Sequence, residues 1–152
     1  MAMMDVNKRK ILLVEDNPDD VELTLNALKE NKIMNEVVVA KDGVEALDYL
    51  DGKGVFKGRD TNDMPTVILL DLKLPKINGI EVLRRIRSEG KKKFIPVVIL
   101  TSSNEEKDLI NGYAVGANSY IRKPVDFNQF VDAVRQLGMY WLLLNEPAPA
   151  SK

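Results

Sequence analysis

Three carboxylates, a hydroxyl and an ammonium follow directly on short apolar runs in this 152-residue chain. Glu15 and Asp16 come after Ile11 to Val14, Asp71 after Val67 to Leu70, Thr101 after Val97 to Leu100, and Lys123 after Tyr120 and Ile121. If these runs are parallel strands of one sheet, ligands collect outside their carboxyl ends, and the five groups converge on that rim. Crowded carboxylates raise one another's pKa unless a cation compensates them. Magnesium, which takes oxygen ligands in octahedral geometry and keeps several waters, is the natural occupant. The set suits phosphoryl transfer onto a carboxylate, with Asp71 attacking phosphorus to form an acyl phosphate. The metal, Lys123 and the Thr101 hydroxyl would then neutralise the equatorial oxygens.

Composition removes most other chemistries. Without cysteine there are no disulfides, thiolate nucleophiles or thiolate metal sites, and without histidine there is no Ser-His-Asp triad or His-ligated zinc. What remains is carboxylates, hydroxyls and lysines, whose hard oxygens favour magnesium, manganese or calcium. A net charge of −1, from 22 basic and 23 acidic residues, gives no bulk bias toward nucleic acid or membranes. The apolar run ILLV is cut short by Glu15 and Asp16, so neither a signal-peptide core nor a membrane span is expected, and a cytoplasmic protein is.

The elements needed to position these groups are readable from the pattern. Unbroken Val/Ile/Leu runs, including Val37 to Ala40, suit strands buried on both faces. Between them, Val21, Leu25 and Leu28 repeat at helical spacing after Asn17-Pro18, with Asn17 or Asp16 as the cap. Val44, Leu47 and Leu50 follow Gly43; Ile80, Leu83 and Ile86 follow Asn78-Gly79; Leu109, Tyr113 and Ala117 follow Asn104; and a last helix carries Phe127, Phe130, Val131, Val134, Leu137 and Trp141 after Asp126. Five strands alternating with five helices predict an α/β fold, a doubly wound five-stranded parallel sheet. Gly52 to Pro65 reads as a long surface loop, Lys91 to Lys93 as a solvated turn, residues 1–8 as an N-terminal extension and 145–152 as a flexible tail.

The blocks ILLVEDNPDD, VILLDLKLPKINGIEVL, VVILTSS and YIRKPVDF together resemble the receiver domain of two-component response regulators. The likeness runs over residues 9–144, in the right order and spacing. It implies a flavodoxin-like sheet of order 2-1-3-4-5 and a single-domain regulator rather than an enzyme in the ordinary sense. By position, Glu15 and Asp16 match the magnesium-binding acidic pair, Asp71 the phosphoacceptor, and the backbone carbonyl of Lys73 a further magnesium ligand. Thr101 matches the switch hydroxyl, Tyr120 the aromatic switch, Lys123 the site lysine, and Lys123-Pro124 a pair joined by a cis peptide bond. Finer features, EDNP with a following acid, the long loop before the third strand, ANSY and KPVD, resemble small regulators of phytochrome histidine kinases. The resemblance therefore implies a sensor histidine kinase as donor, with readout by protein–protein contact or onward transfer.

Each residue also has a plainer reading: Glu15 and Asp16 as helix caps, Asp71 as a turn residue, Thr101 and Lys123 as ordinary strand ends, and Tyr120 as core. Other functions fit less well. A phosphatase with an aspartyl nucleophile wants an acid two residues on, where Lys73 stands, and no phosphate-binding GxxxxGK[ST] occurs. A pseudo-receiver that is never phosphorylated remains the alternative. The apolar run Met139 to Leu144 exceeds one helix stripe, and a homodimer through the fourth helix, fifth strand and fifth helix is the expectation.

Overall fold

The computed structural model describes residues 9–88, 90–101, 106–123 and 126–136, with backbone alone at 106–110, 127, 134 and 136. Side chains alternate across a strand, so an all-apolar strand must be covered on both faces. Here β1 (Ile11–Val14), β3 (Val67–Asp71) and β4 (Val97–Thr101) are buried throughout and form the middle of a five-stranded parallel sheet. The order is β2-β1-β3-β4-β5, as expected for a flavodoxin-like receiver fold. The outer strands differ from the sequence expectation of double burial. In β2 (Val37–Ala40) the three valines are only half-buried, and β5 (Ser119–Arg122) alternates buried and exposed. An edge strand has a neighbour on one side only, so helices cover it less completely.

Period-two alternation sorts the strand residues into two cores. Ile11, Leu13, Val67, Leu69, Val98, Leu100 and Ile121 pack with Leu28 of α1 (Pro18–Glu30) and with Phe130 and Ala133 of α5 (Phe127–Gln136). Leu12, Val14, Ile68, Leu70 and Val97 pack with Leu47 and Leu50 of α2 (Gly43–Asp51) and with Val82, Leu83 and Ile86 of α3 (Gly79–Ser88). Each fully buried aliphatic side chain contributes roughly 1.5–3 kcal/mol. Then α4 (Glu106–Val115) sits close to β4, since any Cβ at Gly112 would collide with Ile99. Ala117 falls beyond the end of α4, where the sequence pattern had placed it within the helix.

Side-chain caps fix where the helices begin. Asn17 Oδ1 accepts from the N–H of Asp19 at 2.9 Å, Asp42 from that of Glu45 at 2.8 Å, Asn78 from that of Glu81 at 2.9 Å and Asp126 from that of Gln129 at 2.9 Å. Asn17, rather than Asp16, is therefore the cap of α1. That leaves the Asp16 carboxylate for other work.

Two charged features connect elements far apart in sequence. The stretch Lys91–Phe94 is a short 3-10 helix, and its Lys92 is buried, 6% exposed, with Nζ 2.7 Å from Asp51 Oδ1. This corrects the reading of Lys91 to Lys93 as a solvated turn: the C-terminal end of α2 supplies a carboxylate that draws the middle lysine inward. Arg87, near the end of α3, donates from Nε and Nη2 to Gly116 O at 3.0 and 2.9 Å. From Nη1 it reaches Lys93 O at 3.1 Å and Ile95 O at 2.7 Å, and from Nη2 also Asn118 Oδ1 at 2.9 Å. The loop at 52–65 is likewise held: Arg59 lies over the Tyr49 ring and bonds Tyr49 O at 2.7 Å and Asp63 O at 2.7 Å.

Candidate functional site

Parallel register brings the strand ends together. Val14 lies opposite Leu70, Asp71 opposite Leu100, and Thr101 opposite Arg122. The residues just beyond β1 and β5 and at the ends of β3 and β4 therefore share one rim, as the sequence pattern predicts. One carboxylate oxygen from each of Glu15, Asp16 and Asp71 lies within 4.8 Å of the others. Glu15, Asp71 and Thr101 are buried, while Asp16 is exposed at the mouth.

Backbone geometry holds the central carboxylate. Asp71 Oδ1 accepts from the N–H of Lys73 at 3.2 Å. The first residue of α3, Gly79, donates its N–H to Leu72 O at 2.9 Å. A Cβ at Gly79 would overlap the carbonyl oxygen of Asp71 and the Cα of Leu72, so only glycine lets α3 start this close. Across the rim, the Lys123 N–H donates to Thr101 O at 2.8 Å, which ties the lysine's backbone to the hydroxyl-bearing residue.

Lys123 is the hub of the charges. Its Nζ lies 2.6 Å from Glu15 Oε1, 3.1 Å from Asp20 Oδ2 and 3.2 Å from Asp71 Oδ2. Burial opposes the ammonium, but its contacts with Glu15, Asp71 and Asp20 outweigh that and raise its pKa above the ordinary lysine value. The Glu15 pKa is raised as well: burial, with Asp71 adding to it and Lys123 opposing, pushes it up to about 7. Asp20 is the residue that sequence reading did not assign to the site. Its one signal was a place in the first turn of α1, where an acid also suits the helix dipole alone.

Tyr120 is 43% exposed and meets Tyr113 of α4 edge to face, with ring centroids 6.3 Å apart. That overturns its plainer reading as a core residue. Pro124, and with it the Lys123–Pro124 bond, lies outside the described residues, as do Asn104 and the apolar run at 139–144.

Three carboxylates against one ammonium, with the Asp16 carboxylate close to two of them, leave excess negative charge, and hard oxygens at these spacings suit a divalent cation. The site is thus a buried aspartate at the end of a central strand of an α/β sheet, paired with a lysine and sharing its rim with a threonine. Residues 11–135 match the model of the response regulator receiver domain, and the chain belongs to that family. Its function is that of a receiver in a phosphorelay.

Among its relatives, the bacteriophytochrome response regulator AtBRR is 56% identical, with 91% of this chain and 98% of that one covered and a TM-score of 0.81. Response regulator Rcp1 of Synechocystis sp. is 37% identical over 132 residues, covering 87% of this chain and 88% of that protein. The Mn(2+)-bound form of response regulator Rcp1 superposes with a TM-score of 0.71 at 36% identity, covering 92% and 99% of the two chains. The phosphorylated cyanobacterial phytochrome response regulator RcpA is 40% identical, with a TM-score of 0.72 and coverage of 88% and 94%. Among the described residues no helix is long and apolar enough to cross a membrane.

Proposed function

We propose that Asp71 accepts a phosphoryl group from the phosphohistidine of a sensor kinase, with magnesium held by Asp16, Asp71, the Lys73 carbonyl and, at the inner side, Glu15. In the transfer an Asp71 carboxylate oxygen bonds to phosphorus while the P–N bond to the donor imidazole breaks, its electron pair leaving on nitrogen. The cation supplies Lewis-acid charge neutralisation at the phosphoryl oxygens. Asp71 suits the nucleophile's role because the Lys73 N–H and the Lys123 ammonium orient its two oxygens. Lys123 shifts from carboxylates to a phosphoryl oxygen, and the Thr101 hydroxyl moves toward another. Tyr120 follows by repacking at the face formed with α4.

The observation that carries this reading is the single rim on which Asp16, Asp71, Thr101 and Lys123 meet. The kinase is of phytochrome type on the strength of AtBRR and RcpA, whose names associate them with phytochromes. The receiver extends over residues 9–144, and its output runs through protein contact. A homodimer through α4, β5 and α5 is part of this proposal, supported by the exposed rings of Tyr113 and Tyr120. Light scattering at high micromolar concentration tests it, and a monomer with and without phosphorylation removes it.

The principal test is intact-mass spectrometry after incubation with acetyl phosphate and magnesium. One added phosphoryl group in wild type, absent without magnesium and absent in Asp71→Asn, is the expected result. No adduct under trapping conditions favours a pseudo-receiver, and an adduct in Asp71→Asn moves the acceptor elsewhere.

A further inference from the structure

We infer that Asp20 is a positioning residue that restrains Lys123 and sets how readily the phosphorylated state forms, an inference that rests on the proposed role of Asp71. Asp20 sits in the first turn of α1, 103 residues from Lys123 in sequence, and its Oδ2 lies 3.1 Å from the ammonium. The same ammonium is 3.2 Å from Asp71 Oδ2, so the carboxylates of Asp20 and Asp71 lie within about 6 Å of each other. Glu15 is buried on the inner side of Lys123, whereas Asp20 is 30% exposed and approaches from the α1 side.

Two consequences follow from a phosphoryl group on Asp71. Lys123 has to trade a carboxylate for a phosphoryl oxygen, and Asp20 is the partner that competes for it without belonging to the acidic cluster around Asp71. Asp20 also keeps a negative charge beside a group that gains further negative charge. Both effects disfavour the phosphorylated form, so neutralising Asp20 favours it. A partly exposed ion pair sets the scale, corresponding to a change of about two- to fivefold.

Neighbouring Asp19 provides the control. It lies in the same helical turn, is exposed, and contributes the same charge to the helix terminus. The experiment compares wild type, Asp20→Asn, Asp20→Ala and Asp19→Asn by calorimetric titration with beryllium trifluoride in magnesium, and by the rate of phosphorylation from acetyl phosphate. A metal-free readout accompanies them, the 15N resonance of the Lys123 ammonium. Both Asp20 variants are expected to bind the analogue about two- to fivefold more tightly, to phosphorylate faster, and to shift the Lys123 resonance, with Asp19→Asn close to wild type. If Asp20→Asn and Asp20→Ala bind the analogue no more tightly than Asp19→Asn while wild type is phosphorylated, this inference alone falls. If wild type takes no phosphoryl group onto Asp71, the proposed function falls and this inference with it.

Discussion

At the scale of single residues, this protein uses lysines as internal ties, and the two clearest cases differ in how visible they are in the sequence. Lys123 is legible: it stands at the end of an apolar run, and parallel topology carries every such end to one rim. Its partner Asp20 is not, because the contact depends on where α1 enters relative to β5. Lys92 is hidden in a run of three lysines, and nothing local distinguishes the one that Asp51 draws inward. The tie makes a specific prediction. Asp51→Ala strands a buried ammonium and should cost about 1–3 kcal/mol in urea denaturation. Lys92→Met removes the charge along with the need for a partner and should be close to neutral. Equal losses in the two variants would show that the pair itself, rather than the stranded charge, sets the cost.

Elements begin where side chains terminate the preceding loop, and α2 illustrates how charge enters. Burial works against the Asp42 carboxylate, yet the N–H of Glu45 and the ammonium of Lys76, 3.2 Å away, overcome it and hold its pKa below the ordinary aspartate value. In that range the unfolded chain binds more protons than the folded one, so stability rises with pH. The contribution of Asp42 is therefore complete above about pH 4 and fades as pH falls through the lowered folded value. Asp42→Ala should cost about 1 kcal/mol at pH 7. The gap from wild type should narrow below about pH 3 in a pH series of denaturation curves. A gap that stays constant across the series would mean that the ionised carboxylate is not what stabilises the helix start. Helix starts were readable in advance, Asn17, Gly43 and Asp126 among them, because capping is a local matter. Edge behaviour in β2 was not, since a valine run looks the same at the centre of a sheet as at its margin.

For the whole molecule, the acidic rim is a local electrostatic penalty carried by a well-packed sheet. Three carboxylates around one ammonium, with Asp16 close by, are compensated incompletely, so a divalent cation that binds only the folded chain should stabilise it. At free magnesium about a hundred times the dissociation constant, the gain is about 2.7 kcal/mol. For a domain of this size, that is roughly 5–10 °C in thermal midpoint. Asp16→Asn should remove most of the shift while leaving the metal-free midpoint little changed, as scanning calorimetry with and without magnesium would show. A full shift in Asp16→Asn would assign the binding elsewhere. The same view of the molecule as a set of joined parts bears on Arg87. By gripping the carbonyl of Gly116 together with those of Lys93 and Ile95, it pins the trailing end of α4 to α3 and to the approach of β4. The hydrogen bonds from Arg87 to Gly116 O make that end of α4 the natural pivot for any movement of the helix. A displacement arriving from the Thr101 rim is then expected to turn the helix about that tie rather than to slide it along the sheet.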